Sequence, residues 1–286
     1  MKKKVSDRVI DSLIYIILTA ISVVMLYPLL YVALCSITDA NTVMSSNSIL
    51  IIPKKITWDT YKIVFRSPNI FAGYKNTVIY TVMGSIMSVA LTMLAGYVLS
   101  RKWLYGRKLF TAIVMIPMFI TGGTIPTYLI FKNLNLLNTR WAILLTGSIL
   151  VYNVIITRTF IADIPDALEE AAKIDGANDL VIFSKIIIPL SKSVIAVNFL
   201  YYAVGRWNEW YSSLLYIKDR NLYPLQMFLR EILVQSQMSD MGGMQQQMAQ
   251  NVKYATIMVA VIPILAVYPF VQKYFVKGVM IGAVKG

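Results

Sequence analysis

Residues 13–37 read Leu13-Ile14-Tyr15-Ile16-Ile17-Leu18-Thr19-Ala20-Ile21-Ser22-Val23-Val24-Met25-Leu26-Tyr27-Pro28-Leu29-Leu30-Tyr31-Val32-Ala33-Leu34-Cys35-Ser36-Ile37, without one charged side chain. A helix needs about 20 predominantly apolar residues to cross a bilayer, and this stretch supplies them. Five more stretches of the same kind follow, at 77–99, 109–131, 141–162, 194–217 and 255–276, the fifth of the six being the least apolar. The pattern predicts an all-α, polytopic membrane protein with six transmembrane helices in one domain over 13–276, between an N-terminal segment 1–12 and a tail 277–286.

Composition points the same way. Of 286 residues, 57% are hydrophobic and 14% charged, whereas soluble domains carry about a quarter charged. The net charge of +13 belongs, in a chain this apolar, to cytoplasmic loops and anionic headgroups. No nucleic-acid motif accompanies it, so no nucleic-acid partner is expected. With no histidine and one cysteine, an internal disulfide and a His-based catalytic or metal site are excluded. Val32-Ala33-Leu34-Cys35 faintly resembles a lipoprotein cleavage site. Leu34 stands where a small residue is needed, and the apolar stretch is longer than a signal-peptide core. Cys35 therefore reads as a thiol within a span.

Loop charge sets the orientation. Lys2, Lys3, Lys4 and Arg8 precede the first span, and Arg101, Lys102, Arg107 and Lys108 fill the short loop 100–108, against Lys132 and Arg140 in 132–140. The bias puts both termini in the cytoplasm. In the outer loop, Met238, Met241, Met244 and Met248 are spaced as a thioether site for Cu(I) would be. Gly242-Gly243 interrupts them and no Cys or His assists, so they read as packing side chains and no metal is expected.

The longest inner loop, 163–193, carries the most information. Asp163 is a suitable N-cap with Pro165 in the first turn, and Asp166, Glu169 and Glu170 put negative charge near the positive helix end. Gly176 supplies a left-handed stop. Asn178 then caps a second helix with Ile182, Phe183, Ile186 and Ile187 at helical spacing, ending near Pro189. Two short helices with a sharp turn suit either a knob docking on a partner or a linker lying on headgroups; the pattern leaves both open.

The run Glu170-Ala171-Ala172-X-X-Asp175-Gly176-Ala177, followed by Phe183 and Pro189, resembles the EAA loop of ABC importer permeases. Ala95-Gly96-Tyr97-Val98-Leu99-Ser100-Arg101 with Gly106-Arg107, Ile125-Pro126-Thr127-Tyr128, and Leu134-Asn135-Leu136-Leu137-Asn138-Thr139 are similar to segments of the smaller permease of maltose-type carbohydrate importers. Gly122-Gly123 and Tyr223-Pro224-Leu225-Gln226 resemble the subgroup serving complex oligosaccharides. Asn135 replaces that family's usual glycine, and Ser193 its second loop proline, which predicts a less kinked entry to the fifth span. The resemblance implies the type I importer permease (MetI-like) fold in the cytoplasmic membrane. It implies a heterodimer with a second, homologous permease, two ATPase subunits that carry ATP and Mg, and an extracytoplasmic sugar-binding protein. It also implies that Glu170 contacts the ATPase and Gly176 makes the turn. No cofactor is expected on this chain, which lacks the phosphate loop Gly-X-X-X-X-Gly-Lys-Ser/Thr.

The fifth span contains Gly205-Arg206-Trp207-Asn208-Glu209-Trp210-Tyr211. Charges at membrane depth pair or face water, and residues three apart on a helix are neighbours. The stretch reads either as a self-neutralising Arg206–Glu209 pair or as the polar, aromatic wall of a translocation pathway. The similar Trp-Asn-acidic stretch of sugar-importer permeases implies the wall. Asn76, Thr77, Asn153 and Asn198 suit either a pathway or bonds between helices. An amino-acid or peptide importer permease is the nearest alternative. A membrane-embedded glycosyltransferase would need a carboxylate cluster not otherwise explained.

Overall fold

The computed structural model describes residues 5–39, 42–43, 53, 55–238, 251–267 and 269. The tail 277–286 and Met241, Met244 and Met248 lie outside the described residues. The named elements are helices: α1 (Val5–Ile37), α2 (Asp59–Arg66), α3 (Pro68–Ser100), α4 (Arg107–Phe119), α5 (Thr124–Asn133), α6 (Arg140–Leu145), α7 (Val151–Ala162) and α8 (Asp166–Ile174). After these come α9 (Asp179–Leu190), α10 (Lys192–Trp207), α11 (Tyr211–Tyr216) and α12 (Leu225–Met238), then α13 (Asn251–Val267). Among the described residues, β pairing is confined to an isolated bridge between Thr38 and Ile56.

The chain divides into two compact units. The first comprises Met1–Ile70 and Leu229–Pro263. Its α1 is apolar all round, and none of its best apolar window is buried by protein; a helix of that kind is solvated by lipid. Among the described residues, protein closes on it toward its end. Buried Cys35 and Val43 pack with Tyr31 and Tyr254, and Asn251 donates to the Thr38 carbonyl at 2.9 Å.

The second unit comprises Phe71–Phe228 and Ile264–Gly286. One cluster joins Val89, Met93 and Tyr97 of α3 to Ile161, Ile182, Ile187, Val194 and Tyr202. Another joins Tyr80, Ala142, Ile143 and Leu144 to Tyr216 and Ile217. Polar side chains stitch the helices together. Buried Asn76 donates to the carbonyls of Asn221 and Tyr223 at 2.6 and 3.1 Å. Thr77 accepts from the Leu225 amide at 2.8 Å, and Asn198 donates to Thr157 at 2.7 Å.

Of the six apolar stretches, the first two fold as single helices long enough to cross a membrane, Ile10–Ile37 and Pro68–Ser100. The third breaks between α4 and α5 with a bend of 113°. Pro117 lies in α4 and Gly123 sits at φ 85, ψ 173, a region open essentially to glycine alone. The fourth breaks around Gly147, at φ 64, and the fifth at Asn208–Trp210. Counting each bent pair as one span gives up to four, with α7 and α13 as shorter apolar helices. Asn135 has φ 54. In that left-handed position glycine is the easiest occupant and asparagine the next best.

Candidate functional site

The loop 163–193 folds as an elbow of α8 and α9. Asp163 is not its N-cap: it caps the end of α7, and α8 begins at Asp166 with Pro165 at the capping position. Proline there pre-sets the backbone and forgoes an N–H, so the chain starts the helix two residues later than capping preference alone suggests. The turn matches the glycine signal. Gly176 lies at φ 81. Its amide bonds to the Lys173 carbonyl at 3.0 Å, and the Ala177 amide to the Ala172 carbonyl at 2.9 Å. This pair of bonds is the Schellman closure of a helix. Asn178 then caps α9, its side chain accepting from the Val181 amide at 2.9 Å.

Within α9 the backbone widens to a π turn over Phe183–Ile187 and closes over Ile188–Leu190. Pro189 offers no N–H and its ring crowds the carbonyl four residues back, which favours the wider turn. The chain then bends by 80° into α10. The entry is thus sharply bent with Ser193 in place of a proline. The bend is made at Ser191, φ −93 and ψ 12, whose amide bonds to the Ile187 carbonyl at 2.9 Å, so a proline at 193 is not needed.

One face of the elbow packs into the unit. Ala172, Ala177 and Phe183 lie against the cluster of Met93, Tyr97 and Ile161, with the Phe183 and Tyr97 rings 5.1 Å apart. Two ion pairs clamp α8 to the end of α3. Arg101 forms a buried pair with Glu169, its guanidinium 4.5 Å from the Tyr97 ring centre. Lys102 pairs with exposed Asp166 at 2.6 Å. That bond, and then the lysine charge, hold the Asp166 carboxyl below the usual carboxylate range. A cleft of about 270 Å³ opens beside the clamp, with Glu170 and Lys173 on its lining. The other face projects outward. Glu170, Ala171, Asp175 and Pro189 are exposed, and Ile174 and Leu180 are 86% and 74% exposed.

The fifth stretch behaves differently from its sequence reading. Arg206 and Glu209 do not pair, because α10 ends at Trp207 and the helical neighbourhood of residues three apart is lost. Arg206 is buried against Gly84, where an added Cβ would stand 3.0 Å from the guanidinium. It donates to the Ile143 carbonyl and, at 2.8 Å, to that of Leu144. Glu209, one residue before the N-cap Trp210, accepts from the Ser212 amide in the first turn of α11 at 2.8 Å. Asn208 donates to the Val204 carbonyl at 2.9 Å. Trp207 meets Tyr74 with ring centres 6.4 Å apart, and Trp210 meets Tyr211 at 5.6 Å.

Sequence reasoning missed Arg101 and Glu169 as partners. They lie 68 residues apart, and no local pattern links them. Among the described residues, no group of His, Cys, Asp and Glu is placed to hold a metal ion.

Comparison with known proteins matches residues 1–281 to the family described as "Binding-protein-dependent transport system inner membrane component". The chain is similar to the polygalacturonan/rhamnogalacturonan transport system permease protein YtcP of Bacillus subtilis (strain 168), with 41% identity over 98% of this chain and 99% of that protein. It is 40% identical to Protein LplC of the same organism, over 98% of this chain and 96% of the other. Among solved structures, a chain of a bacterial ABC transporter involved in the import of the acidic polysaccharide alginate superposes with a TM-score of 0.86. Their identity is 30%, over 96% of this chain and 99% of that one.

Proposed function

We propose, for a chain that belongs to the family of binding-protein-dependent transport system inner membrane components, that it is one of two homologous permease subunits of an ATP-driven oligosaccharide importer. The observation that carries the reading is the elbow: clamped to α3 by Arg101–Glu169 on one side, and presenting Glu170, Ile174 and Leu180 on the other. An apolar knob with an acidic residue beside it suits a groove on a soluble partner that offers a cation. Two ATPase subunits, which hold ATP and Mg, supply that groove, one to each permease. Their closure on ATP displaces the elbow, and the clamp passes the displacement to α3. This chain is a transport subunit and carries out no chemistry itself.

In this reading the six apolar stretches cross the cytoplasmic membrane, the third to fifth as broken spans, and both termini and the elbow are cytoplasmic. Glu170, Ala171, Ala172, Asp175, Gly176, Ala177, Phe183 and Pro189 form the coupling element. Trp207, Asn208, Glu209, Trp210 and Tyr211 line the pathway at the break in the fifth span, with Arg206 holding that break from behind. Aromatic rings meet the C–H faces of sugars and amides meet their hydroxyls. An extracytoplasmic binding protein delivers the oligosaccharide. The named cargoes of the similar transport proteins, polygalacturonan/rhamnogalacturonan and the acidic polysaccharide alginate, favour a saccharide over an amino acid or peptide.

The test is ATP-dependent uptake of an oligogalacturonide by the complete assembly in proteoliposomes. Uptake that requires ATP and the binding protein is the expected result. ATP-driven uptake of peptides with none of any saccharide would overturn the reading.

A further inference from the structure

A second cavity, of about 360 Å³, lies where two helix breaks meet: the turn between α4 and α5, and the start of α11. Hydroxyl-bearing residues stand around its walls, Thr121, Thr124, Thr127, Thr146, Tyr211 and Ser212 among them, with no charged side chain among the lining residues. Thr127 donates to the Gly123 carbonyl at 2.9 Å and Thr146 to that of Ala142 at 2.7 Å. With those protons committed, both hydroxyls can serve a ligand only as acceptors. Thr124 stands 3.4 Å from the Tyr211 hydroxyl, too long for a strong bond, so both remain available to a ligand. A Cβ built on Gly122 or Gly123 meets nothing within 4 Å, which leaves the floor open.

Non-helical backbone at membrane depth is tolerated only where protein buries it or where it lines a water-filled cavity. Ile120–Gly123 are exposed in this subunit, and a wall of hydroxyls beside them supplies a polar lining. From this geometry we infer that the cavity at the α4–α5 break is a carbohydrate-contact site of this subunit that reads ring hydroxyls and ignores carboxylate charge. Sugar hydroxyls donate to the Thr127 and Thr146 oxygens and accept from Tyr211 and Ser212. No cation stands on the lining to hold a uronate carboxylate, so an acidic sugar is read here by its hydroxyls alone. The inference rests on the carbohydrate-import reading and adds to it the place and chemistry of the contact.

The chain's one cysteine, Cys35, is buried, so Thr124→Cys introduces a reporter thiol in the intact assembly. Its modification by a maleimide is timed with an oligogalacturonide, with the fully methyl-esterified oligogalacturonide, and with neither. Ile125→Cys, 74% exposed and off the lining, is the comparison. Both saccharides are expected to slow the Thr124→Cys reaction about tenfold when present at ten times their Kd, and Ile125→Cys not at all. Protection by the acid but not its ester overturns the charge-blind reading. Absence of protection by either, or a Thr124→Cys thiol that never reacts because another subunit covers it, overturns the site. ATP-driven uptake by the wild type, measured alongside, separates the two levels. Uptake without protection sinks the site alone, and no uptake of any saccharide sinks both.

Discussion

Glu169 and Glu170 are neighbours in α8 with opposite fates: Glu169 is buried in an ion pair with Arg101, and Glu170 faces solvent. Successive helical side chains point about a quarter-turn apart or more, so one face can be spent on holding the elbow and the next on what the elbow meets. Each face can be tested separately.

Glu170→Lys changes only the outward face. The variant is expected to insert and to assemble with its partner permease, yet to lose saccharide-stimulated ATP hydrolysis. Stimulation at the wild-type level in that variant would refute the coupling role.

Breaking the inner face should act on stability. Glu169→Met or Arg101→Met leaves one charge buried without its partner, which typically costs about 3–5 kcal/mol. Replacing both with methionine removes the stranded charge, so the double variant should recover most of the loss. Thermal unfolding of the four forms gives the coupling energy directly. Additive losses would mean that the pair is not the clamp.

Gly176 at φ 81 makes a different demand. Gly176→Val forces a branched side chain into the left-handed region, at a cost of about 1–2 kcal/mol or more, while Gly176→Asn should be tolerated better. Although a Cβ would meet nothing within 4 Å there, the strain is in the backbone. Limited proteolysis of the elbow reads the difference. Equal protection of the two variants would contradict it.

The outer clamp is pH-dependent with a defined sign. Because Lys102 holds the Asp166 carboxyl below the usual range, the pair stabilises the fold above the carboxyl's unfolded pKa. That contribution disappears as pH falls through the folded value. Lys102→Gln should therefore weaken amide protection in α8 near neutral pH and have no effect in strong acid. Both side chains are exposed, so the effect is small. A difference that grows in acid would reverse the assignment.

Arg206→Met should destabilise the protein rather than alter which saccharide it takes. The substitution strips the donors that Arg206 supplies to the Ile143 and Leu144 carbonyls; Leu144 keeps the Ser148 hydroxyl, but the Ile143 carbonyl loses the Arg206 donor, and an under-served acceptor is costly at membrane depth. A stable variant with changed saccharide preference would place Arg206 in the pathway wall.

Local signals carried what was legible in the chain. Gly176 and Asn178 announce a stop and a start within three residues, and both do what their chemistry favours. Asp163 failed as a cap because the backbone, with Pro165 next to the helix start, selected a later first turn. Hydropathy found the apolar stretches but not their breaks. A window average is insensitive to one glycine at φ 85 or to a helix that ends at Trp207. The Arg206–Glu209 pair, one of the two readings of that stretch, assumes a continuous helix, and the break sends each side chain to backbone partners instead. Long-range partners such as Arg101 and Glu169 leave no trace in local spacing.

The elbow's dependence on a neighbouring subunit is tested most directly by a photoreactive benzophenone maleimide attached at Ile174→Cys, a position 86% exposed, in the complete membrane-embedded assembly. The account requires a cross-linked product joining this chain to the ATPase subunit. A probe captured by lipid alone, with no protein adduct, would contradict it.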